Sequence, residues 1–102
     1  HLILVPSAFL VPTGRAHWHV LMRSRAIETQ AYLVAPAQCG VHLGENGLKR
    51  DTFGHSLIVG PWGEVLFDLG GESATVHTEV LEMSHLEHVR KQIPMAKHRR
   101  LK

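Results

Sequence analysis

The chain has 102 residues, 44% of them hydrophobic and 20% charged, with a formal net charge of +2 and one cysteine. This is the composition of a single folded domain that buries about 65% of its unfolded surface, not of a disordered or fibrous chain. A lone cysteine excludes an intrachain disulfide, and the longest apolar stretch, Leu2 to Pro12, is broken by Pro6 and Ser7 and falls short of the ~20 residues that span a bilayer.

The chain begins with His1 and passes at once into Leu2-Ile3-Leu4-Val5, an apolar run that reads as a strand already under way. Natural starts rarely look like this, so the expectation is a piece of a longer protein. No basic flank or small-residue cleavage site marks a signal peptide, and the expected location is cytoplasmic, with the mitochondrion as the alternative. No membrane association is expected.

Leu2 to Val5 predicts a strand buried on both faces, closed by Pro6. The segment Pro6 to Gly14 is then the loop at its carboxyl end. Thr13 is the predicted N-cap of a helix from about Arg15 to Ala31, its hydroxyl accepting a free backbone N–H. Two apolar stripes run along that helix, one of Ala16, Val20, Ile27 and Ala31, the other of Trp18, Leu21, Met22 and Thr29. Two faces call for two partners, a sheet and a second subunit. Arg25 and Glu28, three apart, predict a weak ion pair.

Tyr32 to Gln38 reads as a second core strand ending in a Cys39-Gly40 turn. Val41 to Asp51, rich in glycine and charge, reads as a mobile loop centred on Glu45-Asn46-Gly47. Phe53 to Val59 and Glu64 to Leu69 flank Gly60-Pro61-Trp62-Gly63 and predict an antiparallel hairpin. Thr75 to Leu81 alternates apolar and polar residues as a half-exposed strand does. Ser84-His85-Leu86-Glu87 fits a capping box opening a short helix to Ile93, which Pro94 ends before an extended basic tail. Five strands and two helices, the first two strands joined through a helix, make an α/β layer with a parallel or mixed sheet.

Several residues invite a chemical role. Nine histidines raise the question of a metal, but His17 and His19 diverge on a helix, and neither His85 with His88 nor Cys39 with His42 completes a four-ligand set of recognised spacing; no metal and no cofactor are expected. Cys39, at a strand end beside a glycine, reads as a small packed residue rather than a nucleophile. The basic tail, with Arg90, Lys91, Lys97, Arg99, Arg100 and Lys102, lacks interleaved aromatics, so no nucleic-acid partner is expected. The Pro6-Ser7-Ala8-Phe9 loop, outside the carboxyl end of a strand, reads equally as a place for a substrate or as a plain connection in which Phe9 caps the core.

The block PSAFLVPTGRAHWHVLMRSRAIETQAYLVAPAQCG, followed by FGHSLIVGPWGEVL, resembles the C-terminal portion of the nitrilase, or carbon–nitrogen hydrolase, superfamily, in particular the branch of deaminated glutathione amidase and the Nit domain of Nit–Fhit fusions. The resemblance runs from Leu2 to about Arg100. It implies an α-β-β-α sandwich and hydrolysis of a small amide by a Glu-Lys-Cys triad through a thioester. All three triad residues would precede His1, and Cys39 does not take the nucleophile's place, so no catalytic residue is expected in this chain. Carried over residue by residue, Ser7, Ala8 and Phe9 match the loop beside the nucleophile, and Thr13, His17 and Trp18 match the segment facing the same substrate. The Arg15–Ala31 helix and the C-terminal segment match the elements through which subunits of the superfamily associate. One departure is Leu101, where relatives often carry proline. Two readings follow: the chain is part of an amidohydrolase, inactive alone, or a non-catalytic assembly and binding module of the same fold. A histidine-rich metal binder is a third, weaker reading.

Overall fold

The computed structural model describes residues 1–71 and 75–100. Strand β1 (Leu2–Leu4) leads through a turn of helix, α1 (Val11–Thr13), a π-helical turn (Gly14–Trp18) and α2 (His19–Thr29) to β2 (Tyr32–Ala35). Next come β3 (Cys39–Leu43), β4 (Lys49–Phe53), β5 (Leu57–Val59), β6 (Val65–Asp68), α3 (Met83–Gln92) and a short α4 (Met95–His98). A four-stranded sheet has the order β1-β2-β5-β6, with β1 and β2 parallel and the other pairs antiparallel. The architecture is therefore mixed α/β, with a mixed sheet and two helices of ten or more residues, as the sequence predicts.

The core lies between α2 and one face of this sheet. Trp18, Met22 and Ala26 pack on Leu33 and Ala35 of β2 and Leu57 and Val59 of β5. Buried positions recur every four residues, at Gly14, Trp18, Met22, Ala26 and Gln30, a spacing that begins in the π-helical turn. The sheet-facing row thus differs from both predicted stripes. It takes Trp18 and Met22 from one of them and leaves Val20 (58% exposed), Leu21 (47%) and Ile27 (46%) outside.

The helix also starts earlier than expected. Leu10 is its N-cap, and Thr13 lies within the first turn, its hydroxyl donating to the Leu10 carbonyl at 3.0 Å instead of accepting a backbone N–H. Proline in the first turn suits this start, because the N–H it lacks would have no intrahelical partner. The helix ends at Thr29, before Ala31, with Gln30 left-handed at φ 47° and its N–H donating to the Ala26 and Ile27 carbonyls.

The stretch read as a mobile loop is a β-hairpin. Cys39 pairs with Phe53 and Leu43 with Lys49, around a turn in which Gly47 takes φ 74° and the Asn46 side chain accepts the Leu48 N–H. Between Val41 and Asp51 its apolar residues are exposed, Val41 at 62% and Leu43 at 72%, so backbone pairing rather than burial holds that part, and hydrophobic pattern gave no signal. The predicted strand from Phe53 to Val59 is split, because Gly54 and His55 both adopt positive φ and turn the chain between β4 and β5. The hairpin around Gly60–Gly63 forms as expected, with β5 antiparallel to β6.

Beyond β6 the structure corrects three expectations. Residues 75–81 form no strand; Val76 and Val80 are 91% and 72% exposed and find no sheet edge to pair with. Helix α3 begins at Met83 with Glu82 as N-cap and no side-chain cap, so the Ser84 capping box is not made. Helix α3 does end before Pro94 as expected, but the tail beyond it is not wholly extended, since α4 follows as one turn. Leu101 and Lys102 of the tail lie outside the described residues.

Helix α3 is tied to the end of α2 and the start of β2 by polar bonds. The Tyr32 hydroxyl donates to the Glu82 carbonyl at 2.8 Å, Gln30 Nε2 to the Ile93 carbonyl at 2.7 Å, and Arg90 Nε to the Gln30 carbonyl at 3.0 Å. The reading of both early strands as buried on two faces holds only for β2. In β1, Leu2 is 49% and Leu4 65% exposed.

Candidate functional site

Parallel pairing of β1 and β2 continues past both strands, and this shapes the Pro6–Phe9 loop. Ser7 N–H donates to the Pro36 carbonyl at 2.9 Å and Gln38 N–H to the Ser7 carbonyl at 3.0 Å, a parallel bridge between Ser7 and Ala37. Ser56, just before β5, fixes Ala37 from the other side: the Ala37 N–H donates to Ser56 Oγ at 2.9 Å and that hydroxyl donates to the Ala37 carbonyl at 3.3 Å. Ser7 and Ala8 thereby line an open cavity of about 560 Å³ with Ala37, Gln38 and Ser56. It lies at the carboxyl ends of two parallel strands, where α/β sheets take ligands. Small side chains and pinned backbone leave room for a molecule at that edge.

The remaining predicted residues occupy other environments. Phe9 is half-buried and packs its ring on Trp18, centroids 5.1 Å apart. Trp18 is fully buried in the core, and its indole N–H donates to the His55 carbonyl at 2.7 Å. Thr13 and His17 are exposed on the helix and are not among the residues lining the Ser7 cavity. Ser7, Ala8 and Phe9 are adjacent along one loop; Phe9 and Trp18 touch. Sequence reading missed Ala37, Gln38 and Ser56. Ala37 and Gln38 lie just past β2, beyond Pro36, and Ser56 immediately precedes β5, positions that flag a strand-end ligand edge once the parallel pairing is known.

Cys39 opens β3, half-buried, and its Cβ lies where a side chain on Gly54 would have to go. Among the described residues no hydrogen-bonding base meets its thiol. His42 instead donates from Nε2 to Thr52 Oγ1 at 2.8 Å, and His85 donates from Nε2 to Glu64 Oε1 at 2.8 Å.

A polar cluster unforeseen in the sequence joins α2 to the β5–β6 hairpin. His19 Nε2 donates to Asp68 Oδ2 at 2.8 Å, and His55 Nδ1 lies 3.0 Å from both carboxylate oxygens. Burial alone would raise the Asp68 carboxyl, but the hydrogen bonds from His19, the Gly70 N–H and His55 outweigh it and hold that group below its ordinary value. The three residues lie up to 49 positions apart, so no spacing rule finds them.

Comparison with known proteins gives this geometry a family. The family model described as carbon–nitrogen hydrolase matches residues 3–91. Deaminated glutathione amidase of Bos taurus is 46% identical over 99 residues, 97% of this chain and 29% of that protein. The nitrilase and fragile histidine triad fusion protein of Drosophila melanogaster is 44% identical over 100 residues, 98% of this chain and 21% of that protein. Among solved structures, Saccharomyces cerevisiae Nit3, a member of branch 10 of the nitrilase superfamily, superposes with a TM-score of 0.81 at 31% identity, covering 98% of this chain and 35% of that one. The chain thus spans between a fifth and about a third of the length of these relatives. With most of its length matched by the family model, this chain belongs to the carbon–nitrogen hydrolase family.

Proposed function

We propose that this chain forms one wall of the substrate cleft in a longer carbon–nitrogen hydrolase that cleaves the amide bond of a small molecule, of the kind that deaminated glutathione amidase is named for. The observation that carries this reading is the Ser7-Ala8 edge. Two pinned, small-residue backbones converge at the carboxyl ends of β1 and β2 and leave an open cavity there. The chemistry would be supplied from upstream of His1 by a Glu-Lys-Cys triad: the thiolate attacks the amide carbon, the amine leaves, and water cleaves the resulting thioester. This chain's part is to shape and orient. The backbone of residues 7 and 8 bounds the space for the substrate, Ser56 holds Ala37 in register, and Phe9 on Trp18 anchors the loop to the core.

The same reading includes self-association through the outer face of α2 and the C-terminal segment. It is supported by Val20, Leu21 and Ile27, three exposed apolar side chains on one helix. The test of the cleft is Ala8→Leu in the longer polypeptide, assayed by release of the amine product from a small secondary amide such as deaminated glutathione. A side chain three carbons longer at the cavity edge raises KM, with the thermal midpoint kept. An unchanged KM in a folded variant would remove this edge from the substrate cleft.

A further inference from the structure

We propose that His19, His55 and Asp68 form a binding site for one divalent transition-metal ion of the zinc class. The three residues come from α2, from the turn between β4 and β5, and from the end of β6, so the fold itself assembles the set. Their ligand atoms all lie within 4.8 Å of one another, and among the described residues this is the one group of three or more potential ligands that close. An ion bound about 2.0–2.2 Å from imidazole nitrogen and carboxylate oxygen requires donors a little over 3 Å apart. His19 Nε2 and His55 Nδ1 stand 2.8 and 3.0 Å from the Asp68 oxygens, so small ring rotations suffice.

Two imidazoles with one carboxylate suit zinc, cobalt, nickel or iron(II) and disfavour calcium or magnesium, which want several oxygens. Coordination needs each ring to present a lone pair. A neutral imidazole does so by carrying its proton on the far nitrogen, Nδ1 of His19 and Nε2 of His55. No covalent bond is otherwise made or broken.

The surroundings favour a fixed geometry. Asp68 Oδ1 accepts the Gly70 N–H at 2.8 Å, which sets the carboxylate plane. His55 is held at φ 56° by two backbone bonds, its N–H donating to the Gly70 carbonyl at 2.8 Å and its carbonyl accepting the Trp18 indole N–H at 2.7 Å. Its ring stacks on Phe53 with centroids 4.2 Å apart. Such outer contacts orient metal-binding histidines. The side chains remain accessible, His19 at 37%, His55 at 27% and Asp68 at 30%, which leaves an entry path and positions for water. A bound ion would staple α2 to the hairpin, a structural role separate from amide hydrolysis.

The test is calorimetric titration of the untagged chain with zinc chloride, together with the visible absorption of its cobalt(II) form. One ion per chain and imidazole-type cobalt bands are expected. His19→Gln and Asp68→Asn each weaken binding by about tenfold or more, whereas His85→Gln leaves it unchanged. Lowering the pH to about 5.5 weakens binding, because protonated imidazole cannot coordinate. Should Asp68→Asn lose its fold, His19→Gln, at a partly exposed helix position, carries the test. Unchanged affinity in folded His19→Gln, loss of binding in His85→Gln, or no zinc binding at all would overturn the proposal.

Discussion

The indole of Trp18 donates its N–H to the carbonyl of His55 at 2.7 Å from a fully buried position, locking the start of the long helix to the turn between β4 and β5. Trp18→Phe keeps a ring in the core but leaves that carbonyl without its donor. The expected cost is about 1–3 kcal/mol, read as a lower urea midpoint with unchanged slope. An unchanged midpoint would mean the bond contributes nothing to stability.

Gly14 separates packing from helix propensity. Its φ is an ordinary helical −59°, so alanine meets no backbone strain and on propensity alone would stabilise the helix by about 1 kcal/mol. Yet a Cβ there would collide with the Phe53 ring at Cγ and with its Cβ. Gly14→Ala is therefore expected to destabilise by about 1–3 kcal/mol, because the Phe53 ring must move. Thermal unfolding decides the sign, and stabilisation would show that the ring yields freely.

Tyr32 predicts an alkaline limit. The residue is 2% exposed, and desolvation first, then the Glu64 charge, push its hydroxyl above the ordinary 10.0. A raised folded value means that the folding stability tied to this group is complete below pH 10. It is lost as pH rises from there through the folded value, because the unfolded chain ionises more readily. Tyr32→Phe gives up the bond to the Glu82 carbonyl, about 1 kcal/mol at neutral pH, and flattens the alkaline fall. Chemical denaturation at pH 8 and pH 11 measures both, and an equal fall in the variant would assign the alkaline loss to other groups.

The outer face of α2 gives a further check. Val20→Glu puts a charge at a position 58% exposed in the single chain, so the fold tolerates it. If that face meets a second copy, the variant sediments as a smaller species than the parent at equal concentration. Equal sedimentation would leave the exposed apolar row without a partner copy.

The parts of the fold that could be read in the sequence were those with local chemistry. The turn at Gly60–Gly63 needs only proline followed by a glycine at φ 88°, and both are in the sequence. The central strands announce themselves as Tyr-Leu-Val-Ala and Leu-Ile-Val, and the pair Arg25–Glu28 forms at 3.4 Å as its spacing predicts. The misses follow from longer-range effects. A π-helical turn reset the buried face of the helix, and the far part of the β3–β4 hairpin carries Val41, Leu43 and Leu48 in solvent, where pattern reading sees a loop. Of the candidate site, Ser7 and Ala8 were legible through the family motif, but Ala37, Gln38 and Ser56 join them only through strand pairing. The His19–His55–Asp68 cluster is wholly tertiary.

Whether this chain is a wall of the cleft and not the source of the chemistry is decided by measuring release of the amine product from a small secondary amide. The assay compares the chain alone, the longer polypeptide that carries it, and the Cys39→Ala variant of each. Release is expected from the longer polypeptide only, at a rate indifferent to Cys39→Ala. Protein-dependent hydrolysis by the chain alone, whether or not it survives Cys39→Ala, would contradict it.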